Sequence, residues 1–308
     1  MTEKKPLVSI GLPVYNGEKY LKQAIRSILV QTFTDFELII SDNASTDRTA
    51  EICQQYAALD ARVRYYRNVK NIGGGENHIL TYKLSRGKYF RWAADDDICH
   101  PRLIEQCASI LELNPSIVLC YTAVVEIDEM GDVQKVTTPN RGLSLCPPQR
   151  FRQVSNRKHR CEESYGLMRS AALDKTSVKL QYTGADRALL AELSLYGRFY
   201  QIQEPLFCKR YHLGNIYLDY RSRMEWYKPD LTTNVVFPNW LEFHDYFSVI
   251  QRAPLSLPDK LQCYVYILGP WLFSNGKRML KDIYIAAYLL LHSKKWRRQY
   301  YAKTHNWS

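Results

Sequence analysis

Residues 7–14 read LVSIGLPV, an apolar run that opens a regular alternation of short apolar stretches and amphipathic segments. The next segment, 18–31, carries apolar side chains at helical spacing, and 36–41 (FELIIS) is a second apolar run. Short apolar runs that alternate with helices are typical of parallel strands buried on both faces. LVSIGLPV is therefore predicted to be the first strand of an α/β domain.

The alternation continues through the first half of the chain. Further strands are predicted at 63–67, 88–93 and 117–125, and further helices at 46–56, 76–85 and 101–113. This order favours a doubly wound, mostly parallel central sheet with helices on both faces. Ligands of such sheets bind beyond the carboxyl ends of the strands. Four polar loops follow predicted strands and are expected to share that edge: 13–18, 42–47, 68–77 and 95–97.

The loop that ends the predicted strand 88–93 carries three adjacent carboxylates, Asp95, Asp96 and Asp97. Adjacent carboxylates repel one another, which favours a bound cation. Hard oxygen ligands without neighbouring Cys favour Mg²⁺ or Mn²⁺, usually shared with phosphate oxygens. The alternative is a solvated acidic turn that precedes Pro101.

The loop 42–47 carries two carboxylates, more than a helix start requires. Asp42 is suited to face the imide N–H of a uracil, whereas the simpler interpretation is a turn in which Ser45 or Thr46 caps the next helix. After the first strand, Tyr15 is suited to stack on a base and Glu18 to accept hydrogen bonds from ribose, although such turns are common.

The loop 71–77 (NIGGGEN) is rich in glycine and precedes a predicted helix. Glycine lets backbone N–H groups approach a ligand closely, but a plain turn explains the sequence equally well. The loop lacks the Gly-Lys-Ser/Thr ending of a Walker phosphate-binding loop.

Composition narrows the class of protein. The chain has 308 residues, 46% of them hydrophobic and 24% charged, with a net charge of +11. These values are typical of a folded globular protein and exclude a disordered chain or a coiled coil. The positive charge is compatible with nucleic acid, an anionic membrane or an anionic substrate, but no nucleic-acid-binding motif is present. The eight cysteines stand singly, which argues against a zinc site and favours free thiols.

The termini indicate a cytoplasmic protein. Residues 1–5 are charged and do not read as a secretory signal. The apolar run 283–291 has nine residues, too few to cross a bilayer alone, which takes about 20. Because the basic residues Lys294, Lys295, Arg297 and Arg298 follow this run, peripheral contact with an anionic membrane surface is an open alternative to a packed helical cap.

The second half of the chain is less regular. Residues 129–160 are polar and are predicted to be rich in loops, a helix is predicted at 185–196, and a strand at 199–211. Asp186 lies at the start of that helix, where it would at least complement the helix dipole. Beyond Pro258 the pattern is mainly helical. The predicted organisation is a ligand-binding half at 1–128, a second half at 129–214 and a helical extension at 215–308.

Taken together, four segments resemble family 2 glycosyltransferases of the GT-A fold: VSIGLPVYNGEKYL, SDNASTDRT, NIGGGENH and RWAADDD. The resemblance extends to about His212 and covers two thirds of the chain. It implies an inverting enzyme that moves a sugar from a nucleotide-sugar, commonly a UDP-sugar, to a hydroxyl of a saccharide or lipid-linked acceptor. Hexosyl and N-acetylhexosaminyl transfer in polysaccharide or glycoconjugate synthesis both fit. It also implies Mn²⁺ or Mg²⁺ on the diphosphate, and no nucleic-acid partner.

The resemblance implies a role for each matching residue. Asp186 matches the general base, and Arg210 matches a group facing the diphosphate. The residues that match nucleotide-binding positions are Pro13, Tyr15, Glu18, Asp42, Asn71, Gly74 and Asp95. The residues that match metal-binding positions are Asp96, Asp97 and His212, with Asp96 expected as the direct ligand. The residues that match the acceptor side are Tyr165, Gly166 and Met168.

The chain departs from the family pattern at two places. Ala94 stands where many relatives have the first Asp of the acidic motif, so the division of labour among the three aspartates stays open. Ala185 replaces a common Glu and leaves Asp186 as the candidate base.

Two other functions compete with this interpretation. A nucleotidyltransferase that makes nucleotide-sugars would carry a loop rich in Gly and Arg or Lys after the first strand, whereas this chain has Pro13-Val14-Tyr15. The other is an inactive scaffold that binds a membrane surface or nucleic acid.

Overall fold

The computed structural model describes residues 5–157, 160–212, 226–227 and 237–291. A nine-stranded mixed sheet forms the centre of this part of the chain. Its strands are β1 (Val8–Val14), β2 (Phe36–Asp42), β3 (Val63–Arg67), β4 (Tyr89–Trp92), β5 (Ile98–Cys99), β6 (Ile117–Ile127), β7 (Val133–Thr137), β8 (Leu167–Arg169) and β9 (Arg198–Arg210).

Helices surround the sheet and continue beyond it. They are α1 (Leu21–Leu29), α2 (Thr49–Leu59), α3 (Gly74–Lys83), α4 (Leu103–Leu113), α5 (Pro147–Ser155), α6 (Ser170–Leu173), α7 (Ala185–Tyr196), α8 (Pro238–Arg252), α9 (Leu257–Tyr266) and α10 (Leu272–Leu291). A 3₁₀ turn precedes β8 at Glu162–Tyr165, and a π-helical turn joins α9 to α10 at Ile267–Trp271.

The strand order is β3-β2-β1-β4-β8-β6-β9-β5, with β7 paired to β6. The pairs among β3, β2, β1 and β4 are parallel, as predicted for the first half of the chain. The short strand β8 then runs antiparallel to both β4 and β6, with Met168 opposite Phe90 and Leu119. Strands β8 and β9 thus bring residues beyond 128 into the same sheet as β1.

Each face of the sheet is covered by a separate core. Alternate strand residues such as Ile10 and Ile40 pack against α1, α2 and α4, whereas Phe90 and Leu119 point the other way, toward α3, α5 and α7. The two faces are apolar because side chains alternate along a strand and both sides are covered. The predicted sheet with helices on both faces is confirmed.

The prediction that 129–160 is rich in loops is wrong in part. This segment contains β7 and the nine-residue helix α5. Pro147 and Pro148 occupy the first turn of α5, where proline lacks only an N–H that has no helical partner. Phe151 and Val154 on this helix are fully buried. Pro147 and Pro148 therefore begin a helix in a segment that was predicted to be rich in loops.

The C-terminal helices form a third core with α5 and α7. Trp271, Tyr246 and Ile250 pack against Phe151 and Leu195. The predicted mainly helical extension is confirmed for 237–291, and in this stretch and the other described ranges no helix is long and apolar enough to cross a membrane. The basic residues Lys294, Lys295, Arg297 and Arg298 lie outside the described residues.

Candidate functional site

The loops after β1 and β2 are joined by direct hydrogen bonds. Asn16 N–H donates to Ser45 Oγ at 2.9 Å, and Asn16 Oδ1 accepts from Thr46 N–H at 2.8 Å. Gly17 N–H donates to Thr49 Oγ1 at 2.9 Å. The prediction that Ser45 or Thr46 caps a helix at 46–56 is wrong, because α2 begins at Thr49 and no side chain caps it. The Ser45 hydroxyl serves the neighbouring loop instead.

The three candidate residues of the first loop differ in access. Pro13 is buried in β1 opposite Ser41. Tyr15 is 46% exposed, so its ring is free to meet a ligand. Glu18 is also exposed, and its Oε2 accepts from Arg48 N–H at 3.0 Å. Tyr15 and Glu18 are therefore accessible in the loop after β1, whereas Pro13 is a buried residue of the strand itself.

Asp42 is fully buried and already bonded on both oxygens. Its Oδ1 accepts from Ser45 N–H at 2.8 Å, and its Oδ2 accepts from the Tyr65 hydroxyl at 2.9 Å. Arg67 Nε lies 3.6 Å from Oδ2. Burial and the nearby Asp42 charge raise the pKa of Tyr65. The carboxylate therefore holds the loop and the edge strand together.

A network of asparagines orients the glycine-rich loop. Asn43 Nδ2 donates to Asn71 Oδ1 at 2.7 Å, and Asn43 Oδ1 accepts from Asn68 Nδ2 at 3.1 Å. Asn71 Oδ1 also accepts from Gly73 N–H at 2.9 Å. Gly73 has φ +91°, a backbone conformation that favours glycine. The loop therefore reaches Gly74, the first residue of α3, in a defined conformation.

The three aspartates after β4 lie in different surroundings. Asp95 lies against Gly17, where an added Cβ would come 2.2 Å from Asp95 Oδ2, so this approach requires glycine. Burial and the neighbouring Asp96 raise the Asp95 pKa to about 7. Asp97 is 5% exposed and its Oδ1 accepts from Arg210 N–H at 2.8 Å. Burial and Asp96 raise the Asp97 pKa to about 8. The loop thus crowds carboxyl groups whose ionised forms a bound cation would stabilise.

Asp96 meets the end of β9. His212 Nε2 lies 3.0 Å from Asp96 Oδ2, and the His212 ring packs on Tyr20 with centroids 5.3 Å apart. In the part of the chain that the structure describes, no three His, Cys, Asp or Glu side chains are placed to hold a metal by themselves. Asp96 and His212 therefore offer a pair of ligands that phosphate oxygens would have to complete.

Arg210 is a buried support of the acidic loop. It is 2% exposed, and its Nε donates to the Asp96 carbonyl at 2.9 Å. Its two terminal nitrogens donate to the Asp128 carbonyl at 2.9 Å and to Gln23 Oε1 at 2.8 Å. These bonds position Asp96 through its backbone, so the structure favours a positioning role over the direct diphosphate contact predicted for Arg210.

A cleft of about 140 Å³ opens between α3 and α7 beside this loop. Asp186 lies in it at the start of α7, and its Oδ1 accepts from Arg187 N–H at 2.9 Å. Most of the other walls are aromatic or apolar: His78, Trp92, Tyr165, Leu180 and Trp226 line the cleft. A carboxylate in an apolar, aromatic cleft is suited to accept a proton from a hydroxyl of a ring-shaped ligand.

Of the residues predicted on the acceptor side, Tyr165 reaches the cleft. Its ring stacks on Phe207 with centroids 5.3 Å apart, and burial together with Asp97, Asp96 and Asp186 raises its pKa. Tyr165 thus connects the cleft that contains Asp186 with Phe207 of β9, which pairs with Cys99 just after the acidic loop. Gly166, just before β8, and Met168, on β8, are buried and are not among the residues that line the cleft. Gly74 lies under Trp226, where an added Cβ would come 2.3 Å from the indole ring.

His78 is a site residue that the sequence analysis missed. Its Nδ1 lies 2.7 Å from the Gly74 carbonyl, an acceptor, so Nδ1 carries the proton. Burial lowers its pKa below the ordinary value of 6.5, although the Gly74 carbonyl and Asp186 oppose the shift. The neutral ring thus keeps Nε2 as an acceptor in the wall of the cleft. The signal in the sequence was its place at the end of the segment NIGGGENH, four residues after Gly74.

Comparison with known proteins identifies the domain. The model of the family described as "Glycosyl transferase family 2" matches residues 9–176. An uncharacterized glycosyltransferase of Methanocaldococcus jannaschii is 37% identical over 139 residues, which are 44% of this chain and 48% of that protein. Chondroitin synthase of Escherichia coli is 37% identical over 131 residues, 42% of this chain and 19% of that protein. The chain thus matches about half of the length of the first relative and a fifth of the second.

Solved structures confirm the fold. The crystal structure of S. aureus TarS 1–349 superposes with a TM-score of 0.63 at 16% identity, and the match covers 89% of this chain and 73% of that one. The same TarS fragment in complex with UDP-GlcNAc gives a TM-score of 0.60 at 16% identity, over 87% and 73% of the two chains. The predicted GT-A type of α/β fold is therefore confirmed, and because the family model spans more than half of the sequence, the chain belongs to glycosyl transferase family 2.

Proposed function

We propose that the protein is an inverting glycosyltransferase that moves a sugar from a nucleoside-diphosphate donor, a UDP-sugar by preference, to an acceptor hydroxyl. The observation that carries this proposal is that Tyr165 lines the cleft together with Asp186 and stacks on Phe207, which pairs with Cys99 just after the acidic loop. A donor on the acidic loop and an acceptor beside Asp186 would thus meet at one point. The domain assignment follows: donor binding by 1–128, acceptor binding by 129–214 and support by 215–308.

Asp186 is proposed as the general base. The acceptor hydroxyl oxygen attacks the anomeric carbon from the face opposite the nucleotide, and its proton passes to the Asp186 carboxylate. The bond from the anomeric carbon to the diphosphate oxygen breaks, and the nucleoside diphosphate leaves with the electron pair. Attack from the opposite face inverts the anomeric centre. His78 lines the same cleft, and its Nε2 would accept a hydrogen bond from a hydroxyl there and so orient the attacking group.

A divalent cation, Mn²⁺ or Mg²⁺, fits the acidic loop. Asp96 and His212 would hold it, because their side chains lie 3.0 Å apart, and its charge would favour the ionised forms of Asp95 and Asp97, whose pKa values are raised by burial and Asp96. When bound, the cation would neutralise charge on the leaving diphosphate. Asp97 would support the site from its bond to Arg210 N–H, and Arg210 would hold the loop through the Asp96 carbonyl.

Two comparisons support the choice of donor and acceptor. TarS, which shares the fold, has been solved with UDP and with UDP-GlcNAc. Chondroitin synthase, which is 37% identical to this chain over 131 residues, is named for a polysaccharide product. We propose hexosyl or N-acetylhexosaminyl transfer to a saccharide or lipid-linked saccharide, and the aromatic walls at Trp92 and Trp226 suit a sugar ring.

The test is release of UDP from a panel of UDP-sugars with Mn²⁺ and a mixture of saccharide acceptors. Asp186→Asn is expected to lower the rate about 10²- to 10⁴-fold, the usual contribution of a general base. Binding of UDP, measured by calorimetry, is expected to stay unchanged. Asp259→Asn is the matched control, since Asp259 lies in the first turn of α9. Turnover by Asp186→Asn at the wild-type rate would refute the assignment.

A further inference from the structure

The C-terminal helices carry an apolar surface that nothing in the described part of the chain covers. Helix α9, the π turn and α10 follow one another without a break from Leu257 to Leu291. Large apolar side chains recur along them at spacings of three, four or seven residues, and of five across the π turn, and each is more than half exposed. These residues, called here the outer stripe, are Leu257, Leu261, Val265, Leu268, Phe273, Leu280 and Tyr284.

The outer stripe is not needed to build the core. The opposite side of the same helices is buried in the third core through Cys263, Ile267, Trp271 and Met279. A Cβ added at Gly269 would meet no atom within 4 Å. Apolar patches of this extent are rare on monomeric soluble proteins and mark interaction surfaces. The stripe is therefore a surface available to a partner.

Positive charge surrounds the stripe. Lys277, Arg278 and Lys281 are exposed on α10 beside Leu280. The described residues 257–291 contain four cations, Lys260, Lys277, Arg278 and Lys281, and two acidic residues, Asp259 and Asp282. Asp282 is buried and accepts from Asn239 N–H at 2.8 Å, so it does not offset the surface charge. A partner that covers the stripe should therefore be negatively charged as well as apolar.

We propose that the outer stripe binds the surface of an anionic lipid bilayer, with the helices lying in the plane of the interface. Apolar side chains would enter the acyl boundary while Lys277, Arg278 and Lys281 contact anionic head groups. A second copy of the chain is a poorer occupant, because two surfaces of the same positive charge would face each other. This inference goes beyond the proposed function and is tested without donor or acceptor.

The test is co-sedimentation of the full chain with vesicles of phosphatidylglycerol and phosphatidylcholine, compared with phosphatidylcholine alone. The full chain is expected to sediment with the anionic vesicles, and less so as salt is added. The double variant Phe273→Ser with Leu280→Gln should bind at least about tenfold more weakly, since two exposed apolar anchors are lost. Lys277→Gln with Lys281→Gln should weaken binding and reduce its dependence on salt.

The matched control is Val69→Ser with Leu113→Gln, which removes two exposed apolar residues far from the stripe in sequence. Because all these side chains are exposed, circular dichroism should show every variant folded. Control binding like that of wild type, together with loss in the stripe variant, supports the proposal. The absence of sedimentation, equal binding to neutral vesicles, or equal loss in control and stripe variants would overturn it. So would a wild-type dimer that the stripe variant dissociates in ultracentrifugation without any vesicle binding.

Discussion

The two sides of the candidate site are built in opposite ways. The proposed donor side is the rim of loops after β1, β2 and β3, and its polar groups bond mainly to one another, as Asn16 does to Ser45 and Asn43 to Asn71. The proposed acceptor side is the cleft beside α7, whose walls come from separate segments of the chain. Its residue Asp186 is followed by Arg187, whose Nη1 lies 3.4 Å from Glu242 Oε1 on α8.

This difference means that the rim is organised locally, whereas the cleft depends on packing by the C-terminal helices. Substitutions in the rim should therefore change donor binding, and those around the cleft should change transfer. A substitution that changes only donor binding, or only transfer, would show that the two sides act independently. A substitution that changes both would show that they are coupled.

The largest effect is expected from Glu242→Ala. Glu242 is fully buried, pairs with Arg157 and Arg187, and accepts from the Tyr246 hydroxyl at 2.7 Å. Its removal leaves buried cations without their acid and should lower the free energy of unfolding by about 3–5 kcal/mol. In the folded fraction, transfer should fall more than UDP affinity, because Arg187 adjoins Asp186. Urea denaturation and calorimetry measure the two effects.

The control for this variant is Glu204→Ala. Glu204 pairs with Arg102 at the surface, where an ion pair contributes about 0–1 kcal/mol. Should Glu242→Ala fail to fold, Glu242→Gln keeps the shape and removes only the charge. Equal losses of stability in the buried and the exposed variants would contradict the role given to α8.

Asp96→Ala should remove metal-dependent donor binding. Without this carboxylate His212 stands alone as a ligand, so UDP affinity in Mn²⁺ should fall at least about tenfold. Affinity measured with a chelator present should change little. The control is Asp132→Ala, an exposed acid on the turn before β7. Unchanged calorimetric affinity of Asp96→Ala with Mn²⁺ would rule out the proposed ligand.

Asp42→Ala should loosen the rim and leave the cleft intact. The Ser45 N–H and the Tyr65 hydroxyl would lose their acceptor, which costs about 1–3 kcal/mol of unfolding free energy. UDP affinity should fall with stability, while transfer at saturating donor stays close to wild type. Tyr65→Phe, which removes one of these bonds, should have about half the effect or less. A full loss of transfer at saturating donor would show that rim and cleft are coupled.

The smallest effect is expected from His78→Gln. Loss of the ring should raise the acceptor KM about 2- to 10-fold, the contribution of one hydrogen bond, with little change in the donor KM. Steady-state kinetics with each substrate varied in turn gives the two values. An increase in the donor KM alone would contradict this role and would indicate that His78 contacts the donor instead of the acceptor.

The same variant should alter the acid stability of the protein. Because burial lowers the His78 pKa below 6.5 in the folded state, folding disfavours the charged ring. The stability tied to neutral His78 is present above pH 6.5 and is lost as the pH falls toward the folded-state pKa. Wild type should therefore lose more unfolding free energy than His78→Gln between about pH 7 and 5. Parallel pH profiles would contradict this.

Features that depend on short segments could be predicted from the sequence, whereas contacts between residues far apart in the chain could not. The strands around 7–14 and 36–41 and the helix 185–196 were predictable because their hydrophobic periodicity is a property of short segments. The acidic loop was predictable because three carboxylates stand together in sequence. The helix α5 was missed because Pro147 and Pro148 suit both a loop and a helix start, and burial of Phe151 decides between them.

Other differences arose from hydrogen bonding between distant residues. Arg210 read as a cation for the diphosphate, but its guanidinium is bonded to Asp96, Asp128 and Gln23. His78 was assigned no role from the sequence, but the structure places it in the lining of the cleft that also contains Asp186. The surroundings of these two side chains depend on residues far away in the sequence, so the adjacent residues do not predict them.

The sequence by itself determined the alternation of strands and helices, the polar loops at the strand ends and the resemblance to the family, because each depends on residues close together in the chain. Only the tertiary structure decided which polar groups satisfy one another and which face a ligand. The outer stripe shows the same division: the helical spacing of Leu261, Val265 and Leu268 is written in the sequence, but whether they are buried depends on which side of the helix α8 covers.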